Sequence, residues 1–173
     1  MTKTALNNIL LFILLVVCQA VIFNNIVLMN TAIAFVFLYL LVELPITLST
    51  NAVVSVGFVL GLSVDVFQDT PGLNALACTV TAFMRKPIYH LYVPQDEDYA
   101  GRRLGIGTLG SSSFLKYLIT FVLLYCFIYF TVESLDYINI TRILGRTLAS
   151  AAFTFVVIYA IDSLTLSRRE KKL

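Results

Sequence analysis

Two aspartates, Asp65 and Asp69, stand one helical turn apart in GLSVDVFQDTPGLNAL (61–76), among residues otherwise suited to hydrocarbon. An ionised carboxylate at membrane depth is costly, so it calls for a partner or a purpose. Farther along, Arg142 and Arg146 repeat the four-residue spacing with the opposite charge. Residues four apart share a helix face, so two acids and two bases at one membrane level can neutralise each other. Arg146 or Arg142 is the expected counter-charge of Asp65, and Asn74 adds a polar group just across the turn. Two other readings stand beside the ion pair: a polar pocket for a ligand, and a helix end wetted by headgroups and water.

Other motifs carry less chemistry. GIGTLG (105–110) matches the glycine spacing of a dinucleotide loop, but no strand precedes it and a membrane span follows. It is expected to be a flexible connection, with Ser111 to Ser113 capping the next helix. Those serines would need a base within reach to act as nucleophiles, and His90 is the single histidine. Cys18, Cys78 and Cys126 lie far apart inside apolar runs, which suits packing rather than a disulfide framework or a metal site. No catalytic residues, no cofactor and no metal are expected.

The elements that must position these groups follow from the solvent. Hydrophobic residues make up 59% of the 173, charged residues 13%, and the mean hydropathy is +0.90. A soluble domain carries about 25% charged residues, so the chain reads as a polytopic membrane protein. Its apolar runs predict an all-α bundle of six membrane helices in one integral domain, with spans near 5–23, 26–43, 48–66, 72–93, 112–132 and 143–163. Asn24-Asn25, then Glu43 with Pro45, then QDTPG (68–72) break the first spans from one another. The first span lacks a small-residue cleavage site and reads as uncleaved. The fourth is the weakest, because Arg85 and Lys86 leave only about 18 Å of apolar helix before them. Either those cations snorkel to the interface, or the helix kinks at Pro87.

Orientation follows from the basic residues. With six spans, the N-terminus, the 94–111 connection and the 164–173 tail share a side. Of the 12 Lys and Arg residues, only Arg142 and Arg146 then fall opposite, so both termini are expected in the cytoplasm. Asp65, Asp69, Glu133 and Asp136 cluster at the outer face. Tyr89 and Tyr92 suit an inner interfacial belt and Tyr137 an outer one. The basic tail suits anionic lipid. The mixed-charge DED (96–98) with Arg102 and Arg103 is a solvated connection or a docking strip.

The third span carries a small-residue face. Gly57, Gly61 and Asp65 are each four apart, so a neighbouring helix can approach closely and Asp65 points into the packing. Gly145 and Ala149 give the sixth span a similar face.

GFVLGLSVDVFQDTPGLNALACTVTAFM (57–84) resembles the most recognisable part of the rod-shape-determining membrane protein family MreD. There a Gly-rich span runs into G-x-x-x-D, a Pro-Gly turn and a small-residue helix; Gly61, Asp65, Pro71, Gly72 and Ala75 match. Asp69 and Asn74 depart from the pattern. The resemblance implies a bacterial inner-membrane scaffold that binds MreC, a periplasmic protein with one span. Through it, the MreB cytoskeleton would be linked to wall synthesis by RodA and a class B penicillin-binding protein. The family is also similar in fold to S components of energy-coupling-factor transporters. A second expectation is therefore a solute-binding transporter subunit with an outward pocket near Asp65. S components carry an Ala-xxx-Ala face in the first span, which is missing here. The residues expected at the structural or partner site are Gly57, Gly61, Asp65, Asp69, Gly72, Asn74, Arg142 and Arg146.

Overall fold

A computed structural model describes residues 2–23, 32–93, 104–135 and 139–170, and the elements within them are helical. α1, Thr2–Cys18, runs directly into a π-helical turn, Gln19–Phe23. α2 is Leu38–Glu43, α3 Thr50–Gln68, α4 Leu73–Tyr92, α5 Ile106–Leu109, α6 Ser111–Glu133 and α7 Ile140–Glu170. α3 packs on α4, α4 on α6 and α6 on α7, while α1 rests on α2 and α3. Among the described residues, three helical stretches are long and apolar enough to cross a membrane: Thr50–Gln68, Ser111–Glu133 and Ile140–Thr165. The sequence features at 24–25, 94–103, 136–138 and 171–173 lie outside the described residues, among them DED (96–98), Arg102, Arg103, Asp136, Tyr137 and the last two lysines.

Of the helix expected over 26–43, residues 26–31 lie outside the described residues, and the rest is not one continuous helix. Residues 32–37 run outside any helix, and only Leu38–Glu43 coils into α2. Non-helical backbone survives at membrane depth only where protein satisfies its polar groups. Here three side chains do so. The Gln19 amide donates to the Ala34 carbonyl and accepts from the Val36 N–H, both at 2.9 Å. From the opposite side, Ile33 N–H donates to Ser150 Oγ and Phe35 N–H to Thr154 Oγ1, each at 3.0 Å. Apolar periodicity cannot reveal such partners, because they come from the π turn after α1 and from α7. This strap is the centre of the core: Phe35 and Phe37 are fully buried, and both rings meet Tyr125 of α6 edge-on, at 5.0 and 5.9 Å.

α4 also differs from expectation. Its 20 residues give about 30 Å of helix, and the helix continues through Pro87. Arg85 does not snorkel. It is 1% exposed and donates to the carbonyls of Leu44 and, at 3.4 Å, of Pro45. Those carbonyls follow the C-terminal end of α2, where a cation is favoured. Tyr89 is likewise buried rather than interfacial, and Tyr92 Oη pairs with Thr120 Oγ1 of α6 at 2.8 Å.

The glycine loop is tied to α7 and to the end of α2 by hydrogen bonds. Asp162, buried on α7, accepts from the Ile106 N–H at 2.8 Å and from Tyr39 Oη at 3.4 Å. Leu104 N–H adds a bond to the Glu43 carbonyl at 3.1 Å. Gly105 leaves the space the carboxylate fills, since a Cβ there would come within 2.9 Å of Asp162 Oδ1. Gly110, not a serine, occupies the cap position of α6, and Ser111–Ser113 form its first turn.

Candidate functional site

α3 and α4 form a hairpin whose turn is built around Asp65. α3 ends on Asp69, which adopts a left-handed conformation at φ 54° and returns its N–H to the Asp65 carbonyl. Gly72, at φ 81°, then starts α4. That sharp reversal brings the first turn of α4 over the last turn of α3. Gly61 makes the approach possible: a Cβ there would lie 2.4 Å from the Asn74 carbonyl oxygen and 2.6 Å from Ala75 Cα. At Gly57 the neighbours are Ala82 Cβ at 3.0 Å and the Cys78 carbonyl oxygen at 3.2 Å. Gly57 and Gly61 thus face α4.

Asp65, 3% exposed, lies at the N-terminal end of α4. Its Oδ1 accepts from the Asn74 N–H at 3.0 Å, from Asn74 Nδ2 at 2.9 Å and from the Thr70 hydroxyl. Oδ2 accepts from the Ala75 N–H at 2.8 Å. Early N–H groups of a helix have no partner within it and carry the positive end of its dipole. The carboxylate of α3 therefore caps α4 from outside. Asn74 extends the cluster: Nδ2 donates to Gln68 Oε1 at 2.9 Å, and Oδ1 accepts from the buried Tyr125 hydroxyl at 2.6 Å.

The counter-charge expected for Asp65 is elsewhere. Arg146 pairs with Glu133, Nη1 to Oε2 at 2.7 Å and Nη2 to Oε1 at 3.3 Å. Its guanidinium also sits 4.5 Å from the Phe130 ring centroid. Arg142 is exposed, and its backbone N–H is capped by Asn139 Oδ1 at 3.2 Å. Asp69 is exposed as well. The physical reason is economy of distance: Asp65 finds four donors within ten residues of chain, while Glu133 and Arg146 face each other across the α6–α7 connection. Of the eight expected residues, the structure joins Gly57, Gly61, Asp65, Gly72 and Asn74 in one hairpin, with Asp69 forming the turn. Arg142 and Arg146 belong to α7 and take no part.

Sequence reading missed Gln68, Thr70 and Tyr125 at this cluster, and missed Gln19 and Asp162 altogether. Gln19 and Asp162 did carry a signal, since each is a strongly polar residue inside an apolar run. Tyr125 carried none, because its partner lies on another helix.

Asp65 and Asn74 leave little free valence for chemistry. Among the described residues, no group of three His, Cys, Asp or Glu side chains converges on a point where a metal could sit. An apolar groove of about 260 Å³ between α6 and α7 is lined by Ile119, Leu123, Leu148, Ala151, Ala152 and Phe155, none of them part of the Asp65 cluster. Comparison with family models, with curated proteins and with solved structures finds no match for this chain.

Proposed function

We propose that this chain is a non-enzymatic scaffold of the bacterial cell-elongation machinery, of the MreD kind. In this reading it is a six-span protein of the inner membrane with both termini in the cytoplasm, and its fold is similar to that of transporter S components. It binds the single-span protein MreC and, through the complex, couples MreB to wall synthesis by RodA and a class B penicillin-binding protein. One observation carries the proposal. The residues that resemble the MreD pattern, Gly61, Asp65, Gly72 and Ala75, work as one unit, the capped α3–α4 hairpin. A scaffold needs such a rigid outer corner. A solute pocket at Asp65 is the poorer reading, because both carboxylate oxygens already accept bonds from the chain itself.

The test is co-purification. Tagged protein expressed with MreC in bacterial membranes should retain MreC through detergent extraction, and the chain should restore rod shape to cells depleted of their own MreD. Recovery of an ATPase pair in place of MreC would replace this reading with transport.

A further inference from the structure

We propose that the groove between α6 and α7 seats one acyl chain of an anionic phospholipid, with Lys116 holding its phosphate headgroup. The two helices are antiparallel: Glu133 meets Arg146 at one end, and Asp162 meets Ile106, just before α6, at the other. Between those ties lies a lateral gap. On α7, Ala151 and Ala152 stand between the larger Leu148 and Phe155, and on α6 the facing residues are Ile119 and Leu123. All six side chains are apolar, and the space holds about 260 Å³. It opens outward, with Ile119 43% and Leu148 61% exposed. Both helices are long and apolar enough to cross a membrane, so the groove opens on hydrocarbon. A wall with no atoms opposite it forfeits dispersion contacts, and an alkyl chain restores them. A membrane helix is about 10–12 Å across with its side chains and does not enter a space of this size.

Charge decides which lipid. Ser112, Lys116, Ile119 and Leu123 follow one another at spacings of four, three and four, so they share one face of α6. Lys116 is exposed and is in no ion pair among the described residues. It stands about 10 Å along the helix axis from Leu123. One molecule can therefore lay its chain against Ile119 and Leu123 and still bring its phosphate to the ammonium. The exposed Ser112 hydroxyl lies one turn beyond, and the first N–H groups of α6, which have no partner within the helix, point to the same end. On α7, Phe155 stacks on Tyr159 at 5.9 Å, one turn nearer that end, and so extends the apolar wall toward the headgroup. The opposite end offers an anion less. Arg146 is already paired with Glu133, and Arg142 lies about 120–140° round α7 from Leu148 and Phe155, at 3.6 residues per turn.

Fluorescence quenching by lipids with brominated chains tests this, because the chain has no tryptophan of its own. Val156→Trp places a reporter at an exposed position one turn from Ala152, and Phe83→Trp places a control at an exposed position on α4. In vesicles of phosphatidylcholine, a small fraction of brominated phosphatidylglycerol should quench Val156→Trp about fivefold more effectively than the same fraction of brominated phosphatidylcholine, the pull of one basic residue on an anionic lipid. Phe83→Trp should show no such preference. Lys116→Gln should remove the preference, and Ala152→Phe, which fills the groove, should reduce it. Equal quenching of Val156→Trp by the two lipids, or a preference that survives Lys116→Gln, overturns the proposal. If both lipids quench Phe83→Trp and neither quenches Val156→Trp, a second copy or a partner helix covers the groove, and the proposal falls as well. The unsubstituted protein supplies a second readout that no variant can spoil. Released from micelles containing both lipids, it should carry one phosphatidylglycerol per chain in its native mass spectrum. Release without lipid, or with the two lipids in the proportions of the mixture, overturns the assignment.

Discussion

At the scale of single residues, Asp65 shows how a membrane protein holds a carboxylate without a cation. Its four hydrogen bonds come from one turn of the same hairpin, so the charge sits against a helix N-terminus instead of a guanidinium. This separates its variants from those of Arg146. Asp65→Ala strands four donors and should cost about 3 kcal/mol, with hydrogen bonds to charge worth about 1.5–3 kcal/mol each and only partial recovery elsewhere. Asp65→Asn is no conservative change here, because its amide nitrogen would point a donor at another donor; a loss of about 2 kcal/mol is expected. Arg146→Gln breaks a partly exposed pair and should cost about 1 kcal/mol or less. Thermal unfolding in detergent ranks the three. A charge-swapped Asp65→Arg, Arg146→Asp protein should be no more stable than Asp65→Arg alone; clear rescue would restore the ion-pair model.

At the scale of elements, the α3–α4 hairpin depends on two glycines for different reasons. Gly61 is required by contact: its Cβ position falls inside the backbone of Asn74 and Ala75. Gly61→Ala must push the helices apart and should cost about 1–3 kcal/mol through overpacking. Gly72 has nothing within 4 Å of its Cβ position but sits at φ +81°. Gly72→Ala should therefore cost only about 1 kcal/mol, as left-handed strain. Asp69 presents the converse. It is an exposed non-glycine residue at φ 54°, and the bonds to the Asp65 carboxylate come from Thr70, Asn74 and Ala75 instead, so Asp69→Gly should stabilise the hairpin by about 0.5–1 kcal/mol. Chemical or thermal denaturation of the three variants gives the order. Stabilisation by Gly61→Ala would show that the helices are not held at this separation.

At the scale of the whole molecule, two polar layers hold opposite ends of an apolar core. One joins Asp65, Asn74 and Tyr125. The other joins Arg85 to the end of α2, and Asp162 to the 105–106 turn. If the bundle crosses the membrane six times, the first layer lies outside and the second inside. Impermeant thiol reagents should then modify Asn139→Cys in intact spheroplasts and Asp98→Cys only after the cells are opened. Labelling of both in intact cells would rule out that topology. In the proposed complex, reversing Arg102 and Arg103 to Glu should weaken recovery of cytoplasmic partners while MreC remains bound. Unchanged recovery of both would leave the 94–111 connection as a solvated link.

The sequence alone determined what depends on local pattern and solvent. Low charge with apolar runs of about 20 residues points to membrane helices, and the spacing of Gly57, Gly61 and Asp65 puts them on one face of α3. The QDTPG cluster marks the reversal, since Pro and Gly punctuate helices wherever they occur. Tertiary structure decided what depends on a partner from another part of the chain. An apolar run over 26–43 looks like any span until Gln19, Ser150 and Thr154 supply hydrogen bonds that let 32–37 stay outside a helix. Arg85 looks like a residue reaching for water until the carbonyls of Leu44 and Pro45 appear beside it. Asp65 and Arg146 look like a pair by charge and level. Charge has no address along a sequence, and the nearest donors and acceptors in space, Asn74 for the one and Glu133 for the other, claimed them first.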